Sequence, residues 1–129
     1  MNITVTIFEF GKNKNGRVYD KIIAEEIIEQ SKFLVDNGVS HGELTNYENT
    51  NSSVNTNNIS HLVTRLFITE NSLKAEIEIL DLPFGRLLKE ELDLFCFVPR
   101  GIGNVDLSGN IYDYQFVAID AILKRYSSF

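Results

Sequence analysis

The side chains that most often move protons or attack carbonyls near neutral pH, histidine and cysteine, are scarce in this sequence. There are two histidines, His41 and His61, one cysteine, Cys96, and no tryptophan. Histidine changes charge near neutral pH and so can move protons, but without an identified partner a lone His61 specifies no chemistry. Arg100 lies in Pro99-Arg100-Gly101-Ile102-Gly103, directly after the apolar run Leu94–Val98. If Pro99 ends strand pairing and the two glycines bend the chain, the turn would gather backbone N–H groups beside a guanidinium. Fixed donors of that kind stabilise developing negative charge, as an oxyanion site does. The plain alternative is a strand followed by a tight turn. Two histidines cannot make an all-histidine metal site, and zinc spacing, an EF-hand loop, a Walker loop and G-x-G-x-x-G are all missing, so no metal and no cofactor are expected.

The elements that would position these residues follow from periodicity. Ile3, Val5 and Ile7 alternate with Thr4, Thr6 and Phe8, an edge or half-buried strand, and Gly11–Gly16 reads as a turn. Asp20 is an N-cap, Ile23, Ile27, Phe33 and Leu34 form a helical stripe, and Gly38 ends that helix. Ser40–Asn58 is rich in Asn, Ser and Thr and reads as a long surface loop, with brief pairing at Glu43 and Leu44. Ile59–Thr69 and Leu73–Leu80 form a hairpin through Glu70-Asn71-Ser72. Pro83 opens a short helix with Phe84, Leu87, Leu88 and Leu92 inward. Leu94–Val98, a second turn at Val105–Asn110 and a long strand Tyr112–Arg125 complete the chain. About six strands and two helices without βαβ alternation place residues 1–129 in one α+β domain, a mostly antiparallel sheet or barrel flanked by helices.

Composition narrows the function classes. Hydrophobic content is 43%, with nine Phe and five Tyr, and no apolar run approaches the ~20 residues of a membrane helix. The start lacks a basic region and a small-residue cleavage site, so no secretion signal is expected, and one cysteine allows no internal disulfide. A net charge of -6 without a Lys/Arg cluster argues against nucleic-acid binding and favours a protein partner.

Five segments in order carry a resemblance. They are Asn13-Lys14-Asn15-Gly16-Arg17-Val18-Tyr19, Gly42-Glu43-Leu44, Asn58-Ile59-Ser60-His61, Ile79-Leu80-Asp81-Leu82-Pro83-Phe84-Gly85 and Arg100-Gly101-Ile102-Gly103. Together they resemble the tailed-bacteriophage prohead (capsid maturation) protease family, which is similar in fold to the herpesvirus assemblin proteases. In that family a histidine serves as general base for a serine in a Ser-Ser-Arg-Gly block on the central strand. His61 matches the histidine, and Arg100 with Gly101 matches the end of the serine block. Val98 and Pro99 stand where the serines would be, and neither carries a nucleophile. The family's G-E-L-x-H-P block reads Gly42-Glu43-Leu44-Thr45-Asn46-Tyr47, so a further histidine is missing.

The resemblance therefore implies a protease fold without its nucleophile. The expected role is a bacteriophage head component or assembly factor, located in the virion and, during assembly, in the host cytoplasm. It would bind major capsid protein or other head proteins in many copies or as a homo-oligomer, with no nucleic acid and no membrane involved. Its partner surface would be the polar loop, through Thr45, Asn46, Tyr47, Asn49, Asn51 and Asn55. A weak, wet contact there would gain strength from repetition. A second reading keeps the enzyme, with His61 activating Cys96 or Ser108. Cys96 is two residues from Val98, about 6.6 Å along a strand, so that reading needs a register shift. A third, an antagonist of a host protein, has no residue that marks it. With no hydroxyl to deprotonate, His61 would act through packing or one hydrogen bond, and its loss should cost less than about 1.5 kcal/mol.

Overall fold

The computed structural model describes all residues, 1–129. The chain runs β1 (Asn2–Glu9), β2 (Gly11–Lys12), β3 (Val18–Tyr19), α1 (Lys21–Asp36), β4 (His41–Thr45), β5 (Ile59–Ile68), β6 (Ser72–Ile79), α2 (Pro83–Glu90), β7 (Phe95–Val105) and β8 (Ile111–Leu123). Six strands form one sheet in the order β1-β6-β5-β4-β8-β7, and β2 pairs with β3 in a small ribbon. Every pairing is antiparallel except β4 with β8. The sheet curls so that its edge strands β1 and β7 approach one another, leaving a half-barrel with a cleft of about 370 Å³ between them. The expected α+β class with a mostly antiparallel sheet is what the chain adopts.

Local chemistry explains the elements. Asp20 caps α1 by accepting from the Ile23 amide at 3.1 Å, and Ile23, Ala24, Ile27 and Ser31 face the sheet. Phe33, expected on that stripe, is 74% exposed. It lies six residues beyond Ile27, about 120° around the axis from it, and so off the buried stripe. α2 starts at Pro83 and buries Gly85 and Leu88, while Leu87, expected inward, is exposed. Gly85 lets α2 lie close on the sheet: a Cβ there would stand 1.8 Å from the Leu80 carbonyl oxygen. The core gathers Ile7, Phe8, Ile27, Val63, Leu73, Ile77, Leu88 and Ile119 among others.

Two expectations fail. The loop expected over Ser40–Asn58 starts only after Thr45: the brief pairing expected at Glu43 and Leu44 is part of a strand, β4, inserted between β5 and β8 near the middle of the sheet. Five residues with a single apolar side chain, Leu44, could not announce a full strand whose Glu43 is buried. Nor does the chain turn at Pro99. β7 continues through it, pairing Pro99 with Ile119, Arg100 with Ala118 and Gly101 with Phe116, with irregularities after Arg100 and after Ile102. Proline is tolerated because β7 is an edge strand, where a missing N–H breaks no ladder.

Gly101 and Gly103 accordingly have no positive φ; the glycines that do are Gly11, Gly16, Gly38 and Gly109. Gly101 is required for space, since a Cβ there would meet the Tyr114 ring at 2.2 Å. Gly109, at φ 87°, closes the β7–β8 turn and packs on Gly16 of the first motif, with the Val18 amide donating to the Gly109 carbonyl at 2.8 Å.

Candidate functional site

The five segments converge in space. Gly42 on β4 pairs with His61 on β5, and the register then shifts so that Glu43 pairs with Ile59. Ser60 is thus the extra residue of a β-bulge, and the bulge allows two successive residues, Ser60 and His61, to be fully buried. The His61 ring lies edge-on to Phe97, centroids 5.0 Å apart. Its Nε2 is 2.7 Å from the Ile119 carbonyl oxygen, and its Nδ1 is 2.7 Å from Ser60 Oγ. A carbonyl can only accept, so Nε2 carries the proton and Nδ1 accepts from the Ser60 hydroxyl. Burial pushes the imidazole down to about 4, which keeps it neutral at pH 7. A Cβ on Gly42 would stand 2.2 Å from His61 Nε2 and 2.0 Å from the Ile119 oxygen, so glycine there is what lets this bond close. Expected to act through packing or one hydrogen bond, His61 packs on Phe97 and makes two, with both nitrogens bound in a dry pocket.

Beside it is a buried ionic cluster that sequence reasoning missed. Arg100, Glu43 and Asp120 are 3%, 1% and 1% exposed. Arg100 Nη2 donates to Glu43 Oε2 at 2.7 Å and to Asp120 Oδ1 at 3.1 Å. Arg100 Nε lies 2.9 Å from Asp120 Oδ2 but off the N–H axis, an ion pair without an aligned hydrogen bond. The Glu43 amide donates to Asp120 Oδ1 at 3.2 Å. Two carboxylates share one guanidinium, and burial pushes the Asp120 carboxyl up to about 6 despite Arg100 beside it. Arg100 thus has no free face for an oxyanion, and the oxyanion-site expectation falls with the turn that carried it. Asp120 was legible only as a charged residue inside an apolar strand, Val117–Leu123, which is itself a sign of a buried partner.

The same cluster ties down the polar loop. Arg100 Nη1 donates to the carbonyls of Asn51 and Ser53 at 3.3 and 3.1 Å. Glu43 accepts from the Asn55 amide at 3.0 Å and from Asn58 Nδ2 at 3.3 Å. Thr45 Oγ1 donates to the Tyr47 carbonyl, and Asn49 accepts from the Asn51 amide. Glu48 holds the other end of the loop against the chain's last residues, accepting from the Ser128 amide at 2.9 Å, and Phe129 packs on Tyr19 and Phe8. Of the six loop residues expected to meet a partner, Asn46, Tyr47, Asn51 and Asn55 are exposed and Thr45 and Asn49 are half-buried.

The other candidate nucleophiles are elsewhere. Phe97 faces His61, so its neighbours Cys96 and Val98 point to the opposite face of β7. Cys96 lies in the β1–β7 cleft with Ser127, and burial pushes its thiol up. Ser108 sits exposed in the β7–β8 turn, where its amide donates to Asp106. The structure does not bring Cys96 or Ser108 to His61, and Val98 stands opposite Asp120.

No protein-family profile and no curated sequence matches the chain. Among solved structures it is similar to the bacteriophage T4 capsid assembly protease gp21, with a TM-score of 0.80 at 16% identity, covering 94% of this chain and 80% of that one. At that identity the likeness shows the fold. The chain has the fold of a phage prohead protease.

Proposed function

We propose that this chain is a catalytically inactive, prohead-protease-like bacteriophage head protein that binds capsid protein, in the virion and during its assembly. The observation that carries the reading is the state of His61. Its Nε2 is committed to the Ile119 carbonyl, with Gly42 packed against it, and Nδ1 to the buried Ser60 hydroxyl. A general base needs an accepting nitrogen within reach of an accessible nucleophile, and this ring offers none. The fold shared with a capsid assembly protease supports the setting, and the net charge of -6 supports a protein partner over nucleic acid.

The partner surface in this reading is the loop that follows β4, through Asn46, Tyr47, Asn51 and Asn55. While the hydrogen bonds of the ionic cluster hold the loop closed, it loses less entropy on docking than a mobile segment would. Deleting Asn49–Asn55 is not a clean test, since it removes three groups that satisfy Arg100 and Glu43. The suitable variant is Tyr47→Ser with Asn46→Asp, at exposed positions. Co-sedimentation with assembled capsids should retain the wild type without cleavage of capsid protein and release the double variant. Cleavage of capsid protein, or full retention of the variant, would overturn the proposal.

A further inference from the structure

We propose that the Glu43–Arg100–Asp120 cluster is a pH-dependent latch that closes the 46–58 loop in mildly acidic solution and loosens it as the pH rises. This rests on the loop being the partner surface only for its biological meaning; the latch itself is a property of the isolated chain. The geometry gives a dry site with two carboxylates and one guanidinium, a net charge of -1 when both acids are ionised. An excess buried charge is unfavourable and is relieved either by a proton or by water. The loop is what keeps water out: Asn51 and Ser53 carbonyls cap Arg100, and the Asn55 amide caps Glu43.

The charged and titratable groups facing Asp120 are few. From β7 there is Arg100 and from β4 Glu43, which also supplies a backbone N–H. From β5 His61 reaches only the Ile119 carbonyl one residue away and is neutral above about pH 4. The loop contributes no titratable side chain to the cluster, because Glu48 is engaged with Ser128. Asp120 is the proton-accepting member, because its Oδ2 has no aligned donor while the Glu43 oxygens accept from the Asn55 amide, Asn58 Nδ2 and Arg100 Nη2. With the loop closed its carboxyl is held at about 6; with water admitted it returns toward its ordinary value of 3.8. Opening thus releases a proton between those values, and closure is favoured on the acid side.

Amide hydrogen exchange of the wild-type chain reads this directly. After correction for intrinsic rates, the Asn55 and Glu43 amides should be about tenfold less protected at pH 8 than at pH 5, one unit below the closed-loop carboxyl value. The Val63 amide, bound to the Ser40 carbonyl in the core, should not change. Asp120→Asn should abolish the dependence. If it does not fold, Glu43→Gln serves, since one carboxylate on one guanidinium leaves no excess charge. Protection of Asn55 that is unchanged across this range, or that moves equally with Val63, would overturn the latch. Capsid binding that ignores Tyr47 while Asn55 exchange still follows pH would overturn the loop as partner surface and leave the latch standing.

Discussion

His61 and Asp120 titrate in opposite senses over the same pH range, and their effects on stability should nearly cancel. The His61 imidazole falls from 6.5 to about 4 on folding, so the unfolded chain binds its proton more readily between those values. Its stabilising contribution is complete above pH 6.5 and is lost as the pH falls toward 4. The Asp120 carboxyl rises from 3.8 to about 6, so the folded chain holds the proton more tightly. Its contribution is present at low pH and is lost as the pH rises through 6. Between pH 7.5 and pH 4.5 the first term removes roughly 2–3 kcal/mol and the second adds about 2, a net change under about 1 kcal/mol. His61→Gln keeps an N–H donor for the Ile119 carbonyl and removes the titration. At pH 7.5 it should cost about 2–4 kcal/mol through lost packing on Phe97 and a poorer partner for Ser60. That cost should shrink by 2–3 kcal/mol at pH 4.5, read as the difference in urea midpoints between variant and wild type at the two pH values. A cost equal at both pH values would refute the buried neutral imidazole.

Arg100→Met strands two buried carboxylates and should cost about 3–5 kcal/mol at pH 7.5 and distinctly less at pH 5, measured by denaturant unfolding. Gly42→Ala drives a methyl into His61 and the Ile119 carbonyl and should destabilise by about 3 kcal/mol or more; a thermal midpoint within 2 °C of wild type would argue against that contact. Tyr114→Phe should be neutral or slightly stabilising, because the Tyr114 hydroxyl is buried with no partner. A loss above about 1 kcal/mol on that change would reveal a hidden bond.

What the sequence disclosed depended on how local the cause was. Asp20 as cap, Pro83 as helix start and the alternation of Leu73, Ala75, Ile77 and Ile79 are local signals, and each element formed as read. The order of five short motifs led to the fold shared with a capsid assembly protease. The Pro99–Gly103 segment misled because proline and glycine ordinarily punctuate a chain. Here the edge position excuses the one and the Tyr114 ring demands the other, and both are tertiary facts. The extent and central place of β4 were hidden for the same reason, since Glu43 is buried in a strand only because Arg100, 57 positions away, neutralises it. Phe33 shows the limit of reading a stripe by residue type when its angular position disagrees.

The central claim is that the histidine matching the family's general base serves packing in this chain and activates nothing. Incubating the intact protein with a fluorophosphonate and separately with iodoacetamide, followed by intact mass and peptide mapping, tests it most directly. The account predicts no fluorophosphonate adduct, and slow Cys96 alkylation at the same rate in wild type and His61→Gln. A stoichiometric adduct on Ser108, Ser60 or Cys96 that disappears with His61→Gln would contradict it.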